Sequence, residues 1–203
     1  QNLLIWDKMI KVKWWNLLSG KVKISWSKNA ALPLIAASLL INGKVVLNNV
    51  PKIGDVLTFL DILSDIWAVY SFEWNTLFLD NSNLEPKLFD YSKIKKIRAS
   101  ILLLAPLLYR FKNISIPFPG WCSIWKRPID SHLDWLASLW YNVSFVDNHI
   151  DISWVLESWD KVINAKFWVT ATENLICANI FRKWKTFSSS RSIYKWWKSK
   201  KRC

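Results

Sequence analysis

The residues best suited to chemistry lie in two short runs. In the first, "PGWCSIWKRPID" (Pro119–Asp130), a thiol at Cys122 precedes the cations Lys126 and Arg127. Prolines near both ends mark a loop, and Asp130 opens a helical pattern. A thiol beside cations has its pKa lowered, which suits a nucleophile or a general acid. Arg127 can form paired hydrogen bonds to a phosphate. In the second run, "SWSKNAALP" (Ser25–Pro33), Lys28 and Asn29 stand at the head of an apolar helix. Free N–H groups and the helix dipole favour an anion there. On residue type alone, a loop thiol without a role and a solvated lysine beside a capping asparagine both stay open. Arg98 follows Lys93, Lys95 and Lys96 and reads, on the same terms, as a surface arginine.

Hydrophobic period supplies the elements that must hold these groups. It predicts a strand near 21–25, a helix over 28–40, a strand over 44–49, a helix over 54–66 and a hairpin over 68–80. A second round follows: a helix over 96–109, a strand over 112–117, the cysteine loop, a helix over 130–139 and a hairpin over 142–153. A third begins near Lys161 with a strand and continues with a helix near 171–182. The repeat is visible in the letters: "LDILSDIWAVYSFEWNTLFLD" (Leu60–Asp80) parallels "LDWLASLWYNVSFVDNHIDI" (Leu133–Ile152). Each is the end of an amphipathic helix, a strand, a two-residue turn and a second strand. Such alternation predicts a mixed α/β domain built of repeated units.

The tryptophans fall in unexpected places. There are 16 of them against 4 glycines in 203 residues, where glycine ordinarily makes up about 7%. The helices expected at 28–40, 54–66 and 96–109 hold none, and only Trp135 lies clearly inside a helix. Trp67 and Trp140 come just past a helix, where a left-handed residue is common and a bulky side chain costs of order 1–2 kcal/mol. Trp74-Asn75 occupies the turn that the second copy fills with Asp147-Asn148. Trp14-Trp15-Asn16, Ser158-Trp159-Asp160 and Lys183-Trp184-Lys185 are turn-like as well. These positions predict that most of the tryptophans are glycines in the living protein, as happens when UGA is decoded as glycine but translated as tryptophan. UGG codons at these positions would refute it. The competing reading is a Trp-rich protein whose indoles bind sugars or membrane interfaces.

Composition narrows the class. Hydrophobic residues make up 52% and charged residues 21%, enough for a buried core. The longest apolar runs, Ala30–Ile41 and Ala99–Leu108, are shorter than the roughly 20 residues that span a bilayer. Cys122, Cys177 and Cys203 are too few and too widely spaced for a disulfide framework or a zinc site, and a reducing cytosol is the expected compartment. The net charge of +13 invites nucleic acid, but nine of 28 basic residues fall in 182–203, which holds no acid. The chain opens on Gln1 without a signal-peptide pattern, and Met9 is the expected first residue.

Four ordered motifs now carry a resemblance: "SWSKNAALP", "RAS" (Arg98–Ser100), "PGWCSIWKRPID" and "TATENL" (Thr170–Leu175). From about Met9 to Thr186 the chain resembles the UDP-N-acetylglucosamine 1-carboxyvinyltransferases. With Trp read as Gly, two of the motifs become SGSKNAALP and PGGCSIGKRPID, closer still. The resemblance implies an inside-out α/β barrel, two similar domains each of three βαβαββ units. It places 21–185 in one enolpyruvyl transferase domain and 1–20 with the second domain. The basic tail at 186–203 departs from the pattern. The implied reaction moves the enolpyruvyl group of phosphoenolpyruvate to the 3′-hydroxyl of UDP-N-acetylglucosamine, the first committed step of peptidoglycan synthesis, in the cytoplasm. No cofactor and no metal are implied.

The same resemblance assigns roles. Cys122 is the general acid and can form an adduct with phosphoenolpyruvate. Lys28 and Asn29 bind phosphoenolpyruvate. Arg98 contacts the nucleotide sugar. Arg127, Pro128, Ile129, Asp130 and Ser131 line the UDP-sugar site, with Arg127 also close to phosphoenolpyruvate; Asp130 on its own would serve as a helix cap. Lys166, Phe167, Trp168 and Val169 align with another UDP-sugar loop. Phe167 and Trp168 depart from the commonest pattern, and a genuine indole at Trp168 would obstruct the site. Cys177 reads as core. A further aspartate and arginine belong to the second domain, so the 203 residues alone are expected to be inactive. Two alternatives stand beside this reading. One is the sister enzyme acting on shikimate 3-phosphate, which the cysteine loop disfavours. The other is a basic Trp-rich module using "YKWWKSKKR" on nucleic acid or anionic membrane.

Overall fold

Alanine and leucine dominate "KNAALPLIAAS", and both are strong helix formers. Helix α1 (Lys28–Ser38) accordingly turns Ala31, Leu32, Ile35 and Ala36 into the core. The structure is a computed structural model that describes residues 19–87, 89–119, 129–138, 141–154, 162–163, 169–180 and 187–188. Pro33 sits inside α1. It has no N–H, so the carbonyl of Asn29, four residues back, lacks its intrahelical donor.

After strand β1 (Lys44–Leu47), helix α2 (Gly54–Ser64) buries Val56, Phe59, Leu60, Ile62 and Leu63. Its end is a Schellman arrangement: Ala68 N–H donates to Leu63 O at 3.2 Å and Trp67 N–H to Ser64 O at 3.1 Å. Trp67 takes the left-handed position that this geometry requires, with φ +67°. Strands β2 (Val69–Glu73) and β3 (Thr76–Asp80) then pair in register, Glu73 facing Thr76 across Trp74-Asn75. Only the first turn residue, Trp74 at φ +55°, has a positive φ, the pattern of a type II′ turn that prefers glycine at that place.

The second round repeats the first. Helix α3 (Tyr91–Lys96), a 3₁₀ segment (Arg98–Leu103) and helix α4 (Leu104–Phe111) lead into β4 (Asn113–Pro117). Helix α5 (Asp130–Ser138) precedes β5 (Tyr141–Val146) and β6 (His149–Trp154). Both three-stranded sheets are antiparallel and share one order, β1-β3-β2 and β4-β6-β5. Their closing bonds also correspond. Val50 N–H donates to Asn75 O at 2.8 Å, and Phe118 N–H to Asn148 O at 3.0 Å. The second hairpin has positive φ at both Asp147 and Asn148, turn chemistry those short polar side chains tolerate. Trp140, the counterpart of Trp67, lies outside the described residues.

A third round opens with β7 (Val162–Ile163) and α6 (Val169–Asn179), and β7 pairs in parallel with β8 (Phe187–Ser188). Parallel neighbours need a crossover, and α6 lies between them in the chain. Helices α1, α2, α4 and α6 with the 3₁₀ segment share one apolar core that includes Phe59, Ile62, Leu103, Leu104 and Leu175. Among the described residues the strands form three separate sheets, and no closed barrel is seen.

Two expectations need correction. Residues 21–25 are not a strand in the structure. They run beside Asn49, whose side-chain amide donates to Ile24 O at 3.1 Å and whose carbonyl accepts from Trp26 N–H at 3.0 Å. The positive φ of Asn49 (+65°) breaks the ladder that a strand there would need. The helix expected over 96–109 is broken in two. Ile97 is extended at φ −137° and ψ 120°, and the 3₁₀ segment precedes α4. Pro106 cannot donate to Leu102 O, so it fits only in a first helical turn, where it lies in α4.

Candidate active site

Lys28 is the first residue of α1, and its ammonium meets Asp55 Oδ2 at 2.7 Å. Asp55 lies in the first turn of α2, so two helix starts are joined by one exposed ion pair. Asn29 follows on the exposed side of α1 and lines a cleft of about 450 Å³ between α1 and α6. Val169, the first residue of α6, lines the same cleft from the other wall. The cleft runs along both helices, lined from Ser27 to Ala37 on one wall and from Val169 to Cys177 on the other, and Glu173 places a carboxylate in it. At the head of α1 itself, the free N–H groups and the Lys28 ammonium favour an anion.

Arg98 begins the 3₁₀ segment and is half-buried. It lies near enough to His132 to disfavour a charged imidazole there. Ile129 packs partly against the core, Asp130 is the exposed first residue of α5, and Ser131 follows it in that helix. His132 is buried, and its imidazole touches Asn174 and Thr170 of α6. Burial, followed by the Arg98 charge, pushes its pKa from an ordinary 6.5 down to about 4. It is neutral at physiological pH.

Cys177 also lines the cleft and is half-buried rather than fully in the core. Burial, with a smaller push from Glu173, moves its thiol up to about 11. It is a poor nucleophile near neutrality. Cys122, Arg127, Pro128, Lys166, Phe167 and Trp168 lie outside the described residues. The described part of the expected set is thus Lys28, Asn29, Arg98, Ile129, Asp130, Ser131 and Val169. Asn29 and Val169 share the cleft, and Arg98 lies near His132 of α5. Among the described residues no helix is long and apolar enough to cross a membrane.

A family model described as EPSP synthase (3-phosphoshikimate 1-carboxyvinyltransferase) matches residues 12–191. The chain belongs to the EPSP synthase family. Within it, the chain is 38% identical over 177 residues to a UDP-N-acetylglucosamine 1-carboxyvinyltransferase of Campylobacter jejuni subsp. doylei, covering 87% of this chain and 42% of that protein. It is 40% identical over 169 residues to the enzyme of the same name from Campylobacter lari, covering 83% and 40%. The namesake from Coxiella burnetii is 38% identical over 164 residues, covering 79% and 38%. The chain thus spans about two-fifths of the length of the curated relatives it matches.

Solved structures agree on the fold. The enolpyruvyl transferase NikO from Streptomyces tendae superposes with a TM-score of 0.61 at 20% identity, over 73% of this chain and 33% of that one. EPSP synthase from Acinetobacter baumannii gives 0.64 at 11% identity, over 84% and 40%. The paired αβαββ units described above are the enolpyruvyl transferase fold.

Three residues of this region escaped the sequence reading: Asp55, His132 and Asn174. His132 directly follows the Arg127–Ser131 run, and Asn174 sits inside "TATENL". Their signal was a polar side chain on an otherwise apolar helix face, which spacing alone does not separate from a surface position.

Proposed function

We propose that this chain forms part of a UDP-N-acetylglucosamine 1-carboxyvinyltransferase acting in the cytoplasm at the entry to peptidoglycan synthesis. The observation that carries the reading is the name shared by relatives 38–40% identical over 83–87% of the chain. The head of α1, with Lys28 and its free N–H groups, supports it, because both substrates are anionic. In this reading, the sugar's 3′-hydroxyl adds through oxygen to C2 of phosphoenolpyruvate and gives up its proton to a base, while C3 takes up a proton from an acid. Loss of phosphate from C2, with a proton leaving the new methyl group, then restores the double bond and yields the enolpyruvyl ether. Lys28 and Asn29 hold phosphoenolpyruvate, and Cys122 supplies the proton to C3. Arg98, Arg127–Ser131 and Lys166–Val169 receive the sugar nucleotide. Residues 21–185 make up the transferase domain. A second domain supplies the remaining aspartate and arginine, so full turnover is expected to need it.

The family description also covers shikimate 3-phosphate as acceptor, and calorimetry separates the two. The purified chain is expected to bind UDP-N-acetylglucosamine and not shikimate 3-phosphate; the opposite preference sinks the reading. Treatment of a complete folded enzyme carrying this domain with an epoxide phosphonate of the fosfomycin type is expected to add its mass at Cys122. Intact Cys122 after prolonged exposure would count against the assigned acid.

A further inference from the structure

Asn174 is 1% exposed and His132 is 2% exposed, and neither has a role in the chemistry above. Buried polar side chains are costly unless paired, so their partners are informative. One Asn174 side chain reaches three segments. Its Nδ2 donates to Ile101 O at 2.8 Å in the 3₁₀ segment and lies 3.0 Å from His132 Nδ1 in α5. Its Oδ1 accepts from Ala105 N–H at 3.4 Å in α4. An amide nitrogen only donates, so His132 Nδ1 must hold a lone pair and the proton must sit on Nε2. That Nε2–H faces Thr170 Oγ1 at 3.4 Å, near the start of α6.

These partners lie close in sequence to the candidate sugar-nucleotide residues. Ile101 is one turn past Arg98, His132 two residues past Asp130, and Thr170 next to Val169. We propose that His132 and Asn174 are positioning residues. They form a clamp that ties the 3₁₀ segment, the start of α4, the start of α5 and α6 to one another. The clamp thereby sets the spacing of Arg98, Asp130 and Val169 around a bound sugar nucleotide. The proposal rests on the reading of the site given under the proposed function.

Calorimetry of the 203-residue chain with UDP-N-acetylglucosamine at about pH 7 tests it, alongside a urea midpoint for each variant. Asn174→Ala removes the joint, and its dissociation constant is expected to rise roughly tenfold or more, the scale of a lost buried hydrogen bond. A lower urea midpoint with an affinity within about twofold of the parent would mean a stabilising role only and would overturn the proposal. If Asn174→Ala does not fold, two changes at His132 decide. His132→Gln keeps an acceptor for Asn174 and is expected to retain most of the affinity, whereas His132→Leu loses it; equal affinities overturn the clamp. ¹⁵N spectra of the parent are expected to show a neutral Nε2–H imidazole. A proton on Nδ1 would equally refute the geometry.

If the parent chain binds no UDP-N-acetylglucosamine, the sugar-nucleotide reading fails on its own. The clamp is then judged by amide exchange. Faster exchange in Asn174→Ala confined to Ile101, His132 and their neighbours supports it, and uniform acceleration extending into the β1-β3-β2 sheet refutes it.

Discussion

Trp67 and Trp74 bracket strand β2, and both hold the backbone at positive φ, +67° and +55°. One closes a helix and the other opens a hairpin turn, and glycine is the usual residue at both places. Trp74 is 95% exposed, so its indole gains almost nothing from burial. Relief of left-handed strain is worth about 1–2 kcal/mol, against roughly 0.5–1 kcal/mol of extra backbone entropy for glycine. Trp74→Gly is therefore expected to raise stability by about 0.5–1 kcal/mol, read from urea midpoints.

Trp67→Gly should give less. Lys87 Nζ lies 4.3 Å from the Trp67 ring centroid, a contact worth about 0.5–1 kcal/mol at exposed sites. Trp154 is the control. It ends strand β6, packs against Tyr141 at 6.3 Å between ring centroids, and has no positive φ. Trp154→Gly is expected to destabilise. If all three substitutions destabilise alike, the indoles belong where they are written and the recoding idea fails.

Much of the fold was legible in the letters because period and turn chemistry are local. The Leu60–Asp80 and Leu133–Ile152 repeat matches two helix-hairpin units with the same strand order. The strand expected at 21–25 failed for a non-local reason: Asn49, about 25 residues on, takes the hydrogen bonds a neighbouring strand would have made. The unbroken helix at 96–109 failed because apolar runs do not reveal where a proline will force a change of helix type. Lys28 at a helix start was readable, since an apolar run must begin somewhere. The Asp55 partner and the Asn174–His132 joint were not, because both pair residues distant in sequence.

The buried His132 ties stability to acid. Its folded pKa of about 4 lies below the ordinary 6.5, so between these values the unfolded chain binds the extra proton. The contribution is fully present above 6.5 and is lost as pH falls toward 4, roughly 3 kcal/mol in all. Urea midpoints should fall through that window in the parent and fall less in His132→Gln. Parallel profiles for the two would assign the acid sensitivity to other groups.

Cys122 and Cys177 should part company under alkylation. The Cys177 thiol, pushed up to about 11, is almost wholly protonated at neutral pH. Cys122 precedes two cations in sequence, which favours its thiolate. Peptide mapping after brief iodoacetamide treatment at about pH 7 is expected to find Cys122 modified well ahead of Cys177. Preferential modification of Cys177 would contradict both assignments.

The Lys28–Asp55 pair gives the sharpest separation of stability from binding. The ammonium and carboxylate are 48% and 47% exposed, so their bond contributes little to folding, about 0–1 kcal/mol. Asp55→Asn should therefore leave the urea midpoint nearly unchanged. It should also remove the carboxylate that competes with an incoming anion for Lys28. A full charge about 4 Å away in water is worth roughly 1 kcal/mol, so phosphoenolpyruvate affinity is expected to rise about fivefold. Lys28→Ala should lose that affinity with equally little effect on folding. A weaker affinity in Asp55→Asn would mean that the carboxylate holds the ammonium in its binding position, and the competition model would have to be abandoned.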